Sequence, residues 1–470
     1  MSKSAPASGR KVAIVGGGWA GLAAAIYATQ AGHSAIVLEA SRTLGGRARA
    51  LKHTQPNGTE LTLDNGQHIL IGAYSDTLGL LRTVGVNPVD AFLRLPLKLR
   101  FPDGTGLQCP PWPAPFDALA GIVTARGWSF SDKTQLLLAS VRWQRQGFQC
   151  AEHLSVAELC AGLTPRVMAE LIEPLCASAL NTAAQQASAQ VFLRVLKDSL
   201  FGGPGSSNFL IPRVDLGQLF PEPAAAWLAN HGAPVHTGCR VQTLAKVETA
   251  SGNGWELCWQ QHGNNFGQTF DDVILACPSW EAARIARTAA KPVVPQDLTP
   301  GCPAAAAWLG AAEGLAFEAI TTVYASSATR LREPILALRN TAEAPAQFVF
   351  DRRFFGDATT GAEADVLAFV VSVSQGEREQ IEQQVLAQGR AQLGLHDLKA
   401  IQTVVEKRAT FACTPGLRRP ATRIAPGLLA CGEYVAGPYP GTLEGAVRSA
   451  RAAVQQLGSV APHTTTIKET

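Results

Sequence analysis

Near the start of this chain a short apolar strand, KVAIV, runs into GGGWAG, then a charge-free segment of helical character, then a second apolar strand, SAIVLEAS. This strand, turn, helix and strand unit limits what the chain can fold into more than any other feature. Gly16, Gly18 and Gly21 make a GxGxxG at the strand-to-helix junction. The first glycine permits the tight turn, the second lets backbone approach a pyrophosphate, and the third allows helix and strand to pack closely. The helix N-terminus then faces the anion. Glu39 ends the second strand, eighteen residues after Gly21, where a carboxylate can accept hydrogen bonds from an adenosine ribose. A glycine-rich helix start without a ligand would leave Glu39 unexplained.

The same segment raises a competing reading. From Val12 to Leu38 there is no Asp, Glu, Lys or Arg, a run long enough to cross a bilayer, and the preceding MSKSAPASGRK resembles a signal peptide's basic start. A spanning helix has no use for three consecutive glycines after five residues, so the segment is expected to be a buried βαβ unit of a soluble, cytoplasmic protein. The rest of the composition agrees. Forty basic and 37 acidic residues nearly balance, and no basic arm stands out, which argues against a nucleic-acid partner. Ten cysteines, with no CxxC pair, read as reduced thiols, and the nine histidines show no metal-site spacing. Charged residues are only 16%, which points to unusually apolar surface or cavities.

Further along, CPPWPAPFDALAGIV (Cys109 to Val123) interrupts regular structure and then starts a helix. Helical periodicity dominates from Ser131 to Leu200, and strands follow from Ala233. DDVILACP has the uniform apolarity of a buried parallel strand. Helix returns in GEREQIEQQVLAQGRAQLGL, and the end reads as a strand, an irregular loop and a helix beginning near Thr442. Residues 1–9 and 462–470 are expected to be disordered tails.

After Glu39 the chain continues ASRTLGGRARA, with Gly45, Gly46, Arg47 and Arg49. An arginine fork beside two glycines is a second anion clamp. This continuation resembles the amine oxidase and phytoene desaturase superfamily of flavoproteins, and LLACGEYVAGPYPGTLEGAVRSA resembles that superfamily's closing motif. The resemblance implies a Rossmann-like α/β FAD-binding domain with a discontinuous α+β substrate domain. It sets Gly46 and Arg47 against the pyrophosphate and flavin, and Gly432 and Glu433 beside the ribityl–phosphate part of FAD. Thr442, Leu443 and Glu444 would begin a helix directed at the flavin pyrimidine ring, and Val241 in GCRVQTL would meet the adenine through its backbone. The cofactor motifs at both ends and in the middle predict a cofactor domain from residues 10–85, 212–300 and 410–460, with residues 86–211 and 301–409 forming the substrate domain. Cys413 and Cys431 flank the closing motif but sit away from the position of a covalent flavin link, so they read as small buried residues.

Three segments narrow the resemblance: LDNGQHILIGAYSDTLGLL, EPLCASALNTAAQQASAQVFLRVL and GSSNFLIPRVDLGQLF look like the bacterial squalene-associated flavoproteins, the hydroxysqualene dehydroxylases. That family resemblance implies reductive removal of an allylic hydroxyl from hydroxysqualene, giving squalene, with reduced FAD as hydride donor. The site then needs an acid for the departing oxygen, a dry apolar tunnel and an electron-rich face. His68 is the candidate acid, with Gln67 and Tyr439 as neighbours, although a histidine bonded to backbone or flavin fits the same position. No second GxGxxG serves a nicotinamide, so the sequence leaves the electron donor unidentified. A desaturase or amine oxidase running oxidatively, or a non-catalytic prenyl-lipid escort, are the competing readings. Trp112, Phe116, Trp128 and Phe130 would let a short amphipathic segment rest peripherally on a membrane, and they serve equally as a lid or as core packing.

Overall fold

A computed structural model describes residues 9–55, 58–249, 252–289, 303–355 and 365–458. Of the tails expected at 1–9 and 462–470, all but residue 9 lie outside the described residues.

Lys11–Val15 and Ser34–Leu38 pair in parallel, joined by the helix Trp19–Gln30. They form the middle of a six-stranded sheet in the spatial order Val235–His236, Ser34–Leu38, Lys11–Val15, Asp272–Leu275, Leu428–Ala430, Arg423–Ala425. All neighbours are parallel except the last pair. Central parallel strands are covered on both faces and need no polar face, which is why VAIV and DVIL are uniformly buried. The intervening helix is also apolar nearly all round, because it is wedged against the closing helix Leu443–Val454 and the helix Pro221–Asn230. Burial on every side explains the charge-free run. At 12 residues the helix is about 18 Å long, well short of a bilayer. Among the described residues no helix is long and apolar enough to cross a membrane.

A second sheet of five antiparallel strands runs Ile335–Ala337, Phe348–Asp351, Val366–Ser372, Phe317–Ser326, Lys399–Phe411. Its strands alternate between two cores, as a pleat requires. Leu367, Phe369 and Val371 join the cluster under the helix Arg378–Leu393, while Val366, Ala368 and Val370 face the main core. Opposite that inner face stand the helices Glu173–Leu180 and Ala189–Phe201.

The strand Phe209–Pro212 joins Leu70–Ile71 to Phe92–Leu95, so segments on both sides of the positions 85/86 and 211/212 share one small sheet. Ala91 and Phe92 pack into the same core as the first helix. Residues on both sides of these two positions are therefore joined by backbone hydrogen bonds.

Candidate functional site

The glycine turn is built as its spacing predicts. Gly16 adopts a φ of +118°, and a Cβ on Gly21 would lie 1.8 Å from the Gly16 carbonyl oxygen. Gly18 is different: a Cβ there meets no protein atom closer than 3.7 Å. Its lack of a side chain serves open space above the turn. Gly18 caps the first helix without a side-chain partner, and the first turn carries no acid, so its N–H groups remain for an anion. Glu39 is held by the N–H of Gly17 at 2.5 Å and of Ser41 at 2.6 Å. It braces the turn from below while still lining the cavity.

Gly45 and Gly46 both have positive φ and lie against Gly17 and Gly18, with the Gly45 N–H donating to the Gly17 carbonyl at 2.9 Å. Arg47 departs from the expected anion clamp. Its guanidinium pairs with Glu433 at 2.5 Å and donates to the Ala409 carbonyl at 2.9 Å. Burial opposes its charge, but Glu433 and Glu406 more than compensate and leave its pKa above the usual arginine value. The half-buried cation is matched by an anion from the closing motif. Arg47 and Glu433 thus form a strut joining the two cofactor motifs and the strand Lys399–Phe411 beside the cavity.

Thr442 caps the closing helix, its Oγ1 accepting from the Gly445 N–H at 2.9 Å, and Leu443 lines the cavity. Glu444 does not. Its carboxylate is fully buried and accepts from the N–H groups of Asp76 and Thr77 and from the Thr77 hydroxyl. It caps the helix Ser75–Thr83 from outside, and so points away from the expected cofactor position. Gly432 has φ +153° and abuts the Tyr434 ring. Val241 lies at a bulge facing the cavity, but its carbonyl already accepts from Arg284 Nη2 at 2.7 Å. Cys413 and Cys431 are buried free thiols.

Gly16, Gly18, Glu39, Arg47, Glu433 and Thr442 border one cavity of about 850 Å³, which continues into an apolar chamber walled by Leu175, Phe192, Val195, Phe348, Phe350 and Val370. The residues present fit a flavin dinucleotide. Backbone approaches the cradle where no Cβ stands, two helix N-termini open onto it, and the buried Thr410 Oγ1 in its wall has no protein partner.

At the junction of cradle and chamber lies His68. Its Nδ1 is 2.7 Å from Asp64 Oδ1, and its backbone N–H donates to the other oxygen of the same carboxylate. Asp64 is fixed in turn by Tyr324, whose hydroxyl donates to the Asp64 carbonyl at 2.7 Å. The low-dielectric surroundings pull the His68 pKa down, but the charge and hydrogen bond of Asp64 more than reverse this, and the result lies above the usual histidine value. With Nδ1 occupied, Nε2 is the nitrogen left for the cavity. Gln67, in the left-handed region at φ +53°, accepts from Arg352 Nη1 at 3.3 Å. Tyr439 reaches the cavity edge, but two guanidinium groups already lie against its ring, Arg448 at 4.5 Å and Arg194 at 5.5 Å. An aromatic face so occupied is not the electron-rich surface expected for a cation. Asp64, Arg284, Glu406 and Thr410 were absent from the sequence-based set. Of these only Asp64 left a local sign, a carboxylate four residues before the histidine.

A profile of the family described as flavin containing amine oxidoreductase matches residues 19–458. Two curated relatives are a hydroxysqualene dehydroxylase of Sinorhizobium fredii, 26% identical over 94% of this chain and 96% of that one, and another of Rhodopseudomonas palustris, 28% identical over 94% and 96%. Among solved structures, a putrescine oxidase triple mutant superposes with a TM-score of 0.66 at 16% identity, covering 95% of this chain and 98% of that one.

Proposed function

Because the chain belongs to the flavin containing amine oxidoreductase family, and is an FAD-dependent oxidoreductase of that family, we propose that it removes the hydroxyl of hydroxysqualene reductively to give squalene. The observation that carries this reading is a carboxylate-held histidine at the point where a nucleotide cradle opens into an apolar chamber. When bound and reduced, FAD supplies two electrons as a hydride. The protein's own groups do the rest. The His68 imidazolium, kept charged by Asp64, gives a proton from Nε2 to the allylic oxygen, which departs as water. The chamber walls hold the polyene and exclude bulk water from the electron-poor carbon. Asp64 keeps the ring in one orientation, and Glu406, bonded to the Asn65 amide at 3.1 Å, places a further carboxylate at the cavity wall. Proton, hydride and substrate sum to squalene and water, so the reaction consumes two electrons. The guanidinium groups on Tyr439 occupy a ring that would otherwise be offered to a substrate amine, which disfavours amine oxidation.

Electron direction tests the reading. Enzyme reduced without oxygen should form one squalene per flavin on meeting hydroxysqualene, its yellow colour returning as product appears. Reduction with a deuteride donor should leave deuterium on the carbon that lost oxygen. An inert reduced enzyme, together with an oxidised enzyme that bleaches on a polyene, would establish a desaturase instead.

A further inference from the structure

Between residues 110 and 145 two packed helices bury one apolar face, with Ile122, Leu136 and Trp143, and carry a second one outward. In Phe116–Val123 the apolar side chains at one helical face, Phe116, Leu119 and Val123, are 60%, 47% and 52% exposed. The inner face buries Ile122 together with Asp117, which accepts from the Ser207 hydroxyl at 3.1 Å. In Phe130–Arg145, Phe130, Leu138 and Val141 fall on one stripe and are 83%, 71% and 44% exposed. Trp112, on the preceding loop, is 56% exposed. A surface helix ordinarily turns this stripe to the core, and apolar tips gathered in this way mark a contact surface. Trp128, by contrast, is buried and bonds Glu170.

Charge identifies the partner. Residues 110–149 contain two carboxylates, Asp117 and Asp132, and both are buried. Their cations, Arg126, Arg142 and Arg145, are exposed, with Lys133 partly so, and none has an ion-pair partner among the described residues. The outer surface therefore combines apolar tips with positive charge alone, the complement of acyl chains beneath anionic headgroups. Behind it lies the chamber wall. Gly121 seats the first helix on Cys109, whose N–H donates to the carbonyl of Leu97, and Leu97 and Ser207 line the cavity.

We propose that the Trp112–Arg145 surface docks the protein on an anionic lipid bilayer, its aromatic and leucine tips among the acyl chains and its arginines on the headgroups. The surface serves the lipid-substrate reading above, on which its biological purpose rests, but lipid binding itself needs no turnover. The test is flotation of the holoenzyme with phosphatidylcholine vesicles, with and without phosphatidylglycerol. The native protein is expected to float with the anionic vesicles and to bind the neutral ones roughly tenfold more weakly. Phe116→Ser/Phe130→Ser/Leu138→Ser should keep its flavin spectrum and lose binding by roughly tenfold or more. Arg126→Glu/Arg142→Glu/Arg145→Glu should lose the preference for phosphatidylglycerol. Equal flotation of the serine variant, or a native dimer that it splits while neither protein floats, would overturn the proposal, the second outcome assigning this face to another copy of the chain. A protein that floats yet fails to dehydroxylate leaves the docking surface standing and removes only the reaction.

Discussion

An imidazole held on one nitrogen by a carboxylate keeps its proton to higher pH than a free one, and His68 is in that position beside Asp64. If the protonated form is the acid, the single-turnover rate should fall as pH rises through this raised pKa. Asp64→Asn removes the charge that outweighs burial and Arg47, so the fall should move to lower pH. At neutral pH the rate should drop roughly tenfold or more, with recovery on acidification and an unchanged flavin spectrum. A profile that does not move would take the acid role away from His68. Gly21→Ala tests the cradle. Its Cβ would be 1.8 Å from a backbone oxygen that cannot give way, so thermal melting should report a loss of about 3 kcal/mol or more, with less flavin retained. At this scale the legible features were local: the turn at Gly16 and Gly21 and the placing of Glu39 beside it fall within one βαβ unit. The partners of Arg47 and Glu444 were not legible because they are hundreds of residues away in sequence, Glu433 for the one and Asp76 and Thr77 for the other.

Helices here are fastened to each other at their ends. Glu444, in the first turn of the closing helix, satisfies N–H groups that the helix Ser75–Thr83 leaves open, and Arg448 binds the same carboxylate at 2.8 Å. Glu444→Ala would strand a buried hydroxyl and two N–H groups, while Arg448 keeps Asp76 and the Ser75 hydroxyl. We expect a destabilisation of about 3 kcal/mol, measured by chemical denaturation. Glu444→Gln, which keeps an acceptor oxygen, should recover part of it. Flavin affinity should change less than stability, since the carboxylate faces the neighbouring helix. Elements with a strong pattern were legible. The first βαβ unit, the strand Asp272–Leu275 and the helix from Thr442 stand where the sequence places them. Their pairing order was not, because uniform burial tells a strand that it is central without saying which strand it adjoins.

In the whole molecule, cradle and chamber are one space, so cofactor and substrate regions should be separable by mutation only where the wall is far from the glycine turn. Val195 is such a place, in the helix Ala189–Phe201. Val195→Trp should fill the chamber and slow turnover of a long polyene by roughly a hundredfold through misplacement. Flavin content, read from absorbance, should be preserved; joint loss of both would mean that the wall supports the cradle.

The strand order also bears on how the molecule is made. The sheet that carries Gly16 places Asp272–Leu275 and Leu428–Ala430 successively outward from Lys11–Val15. A ribosome adding about 5–20 residues per second delivers the last of these strands about 20–80 seconds after the first. Throughout that interval the first helix lacks the closing helix that covers it, and from the synthesis of Leu275 onward the growing chain carries DVIL with one edge unpaired. Yield in a cell should therefore follow the supply of nascent-chain chaperones more closely than the melting temperature of the finished protein.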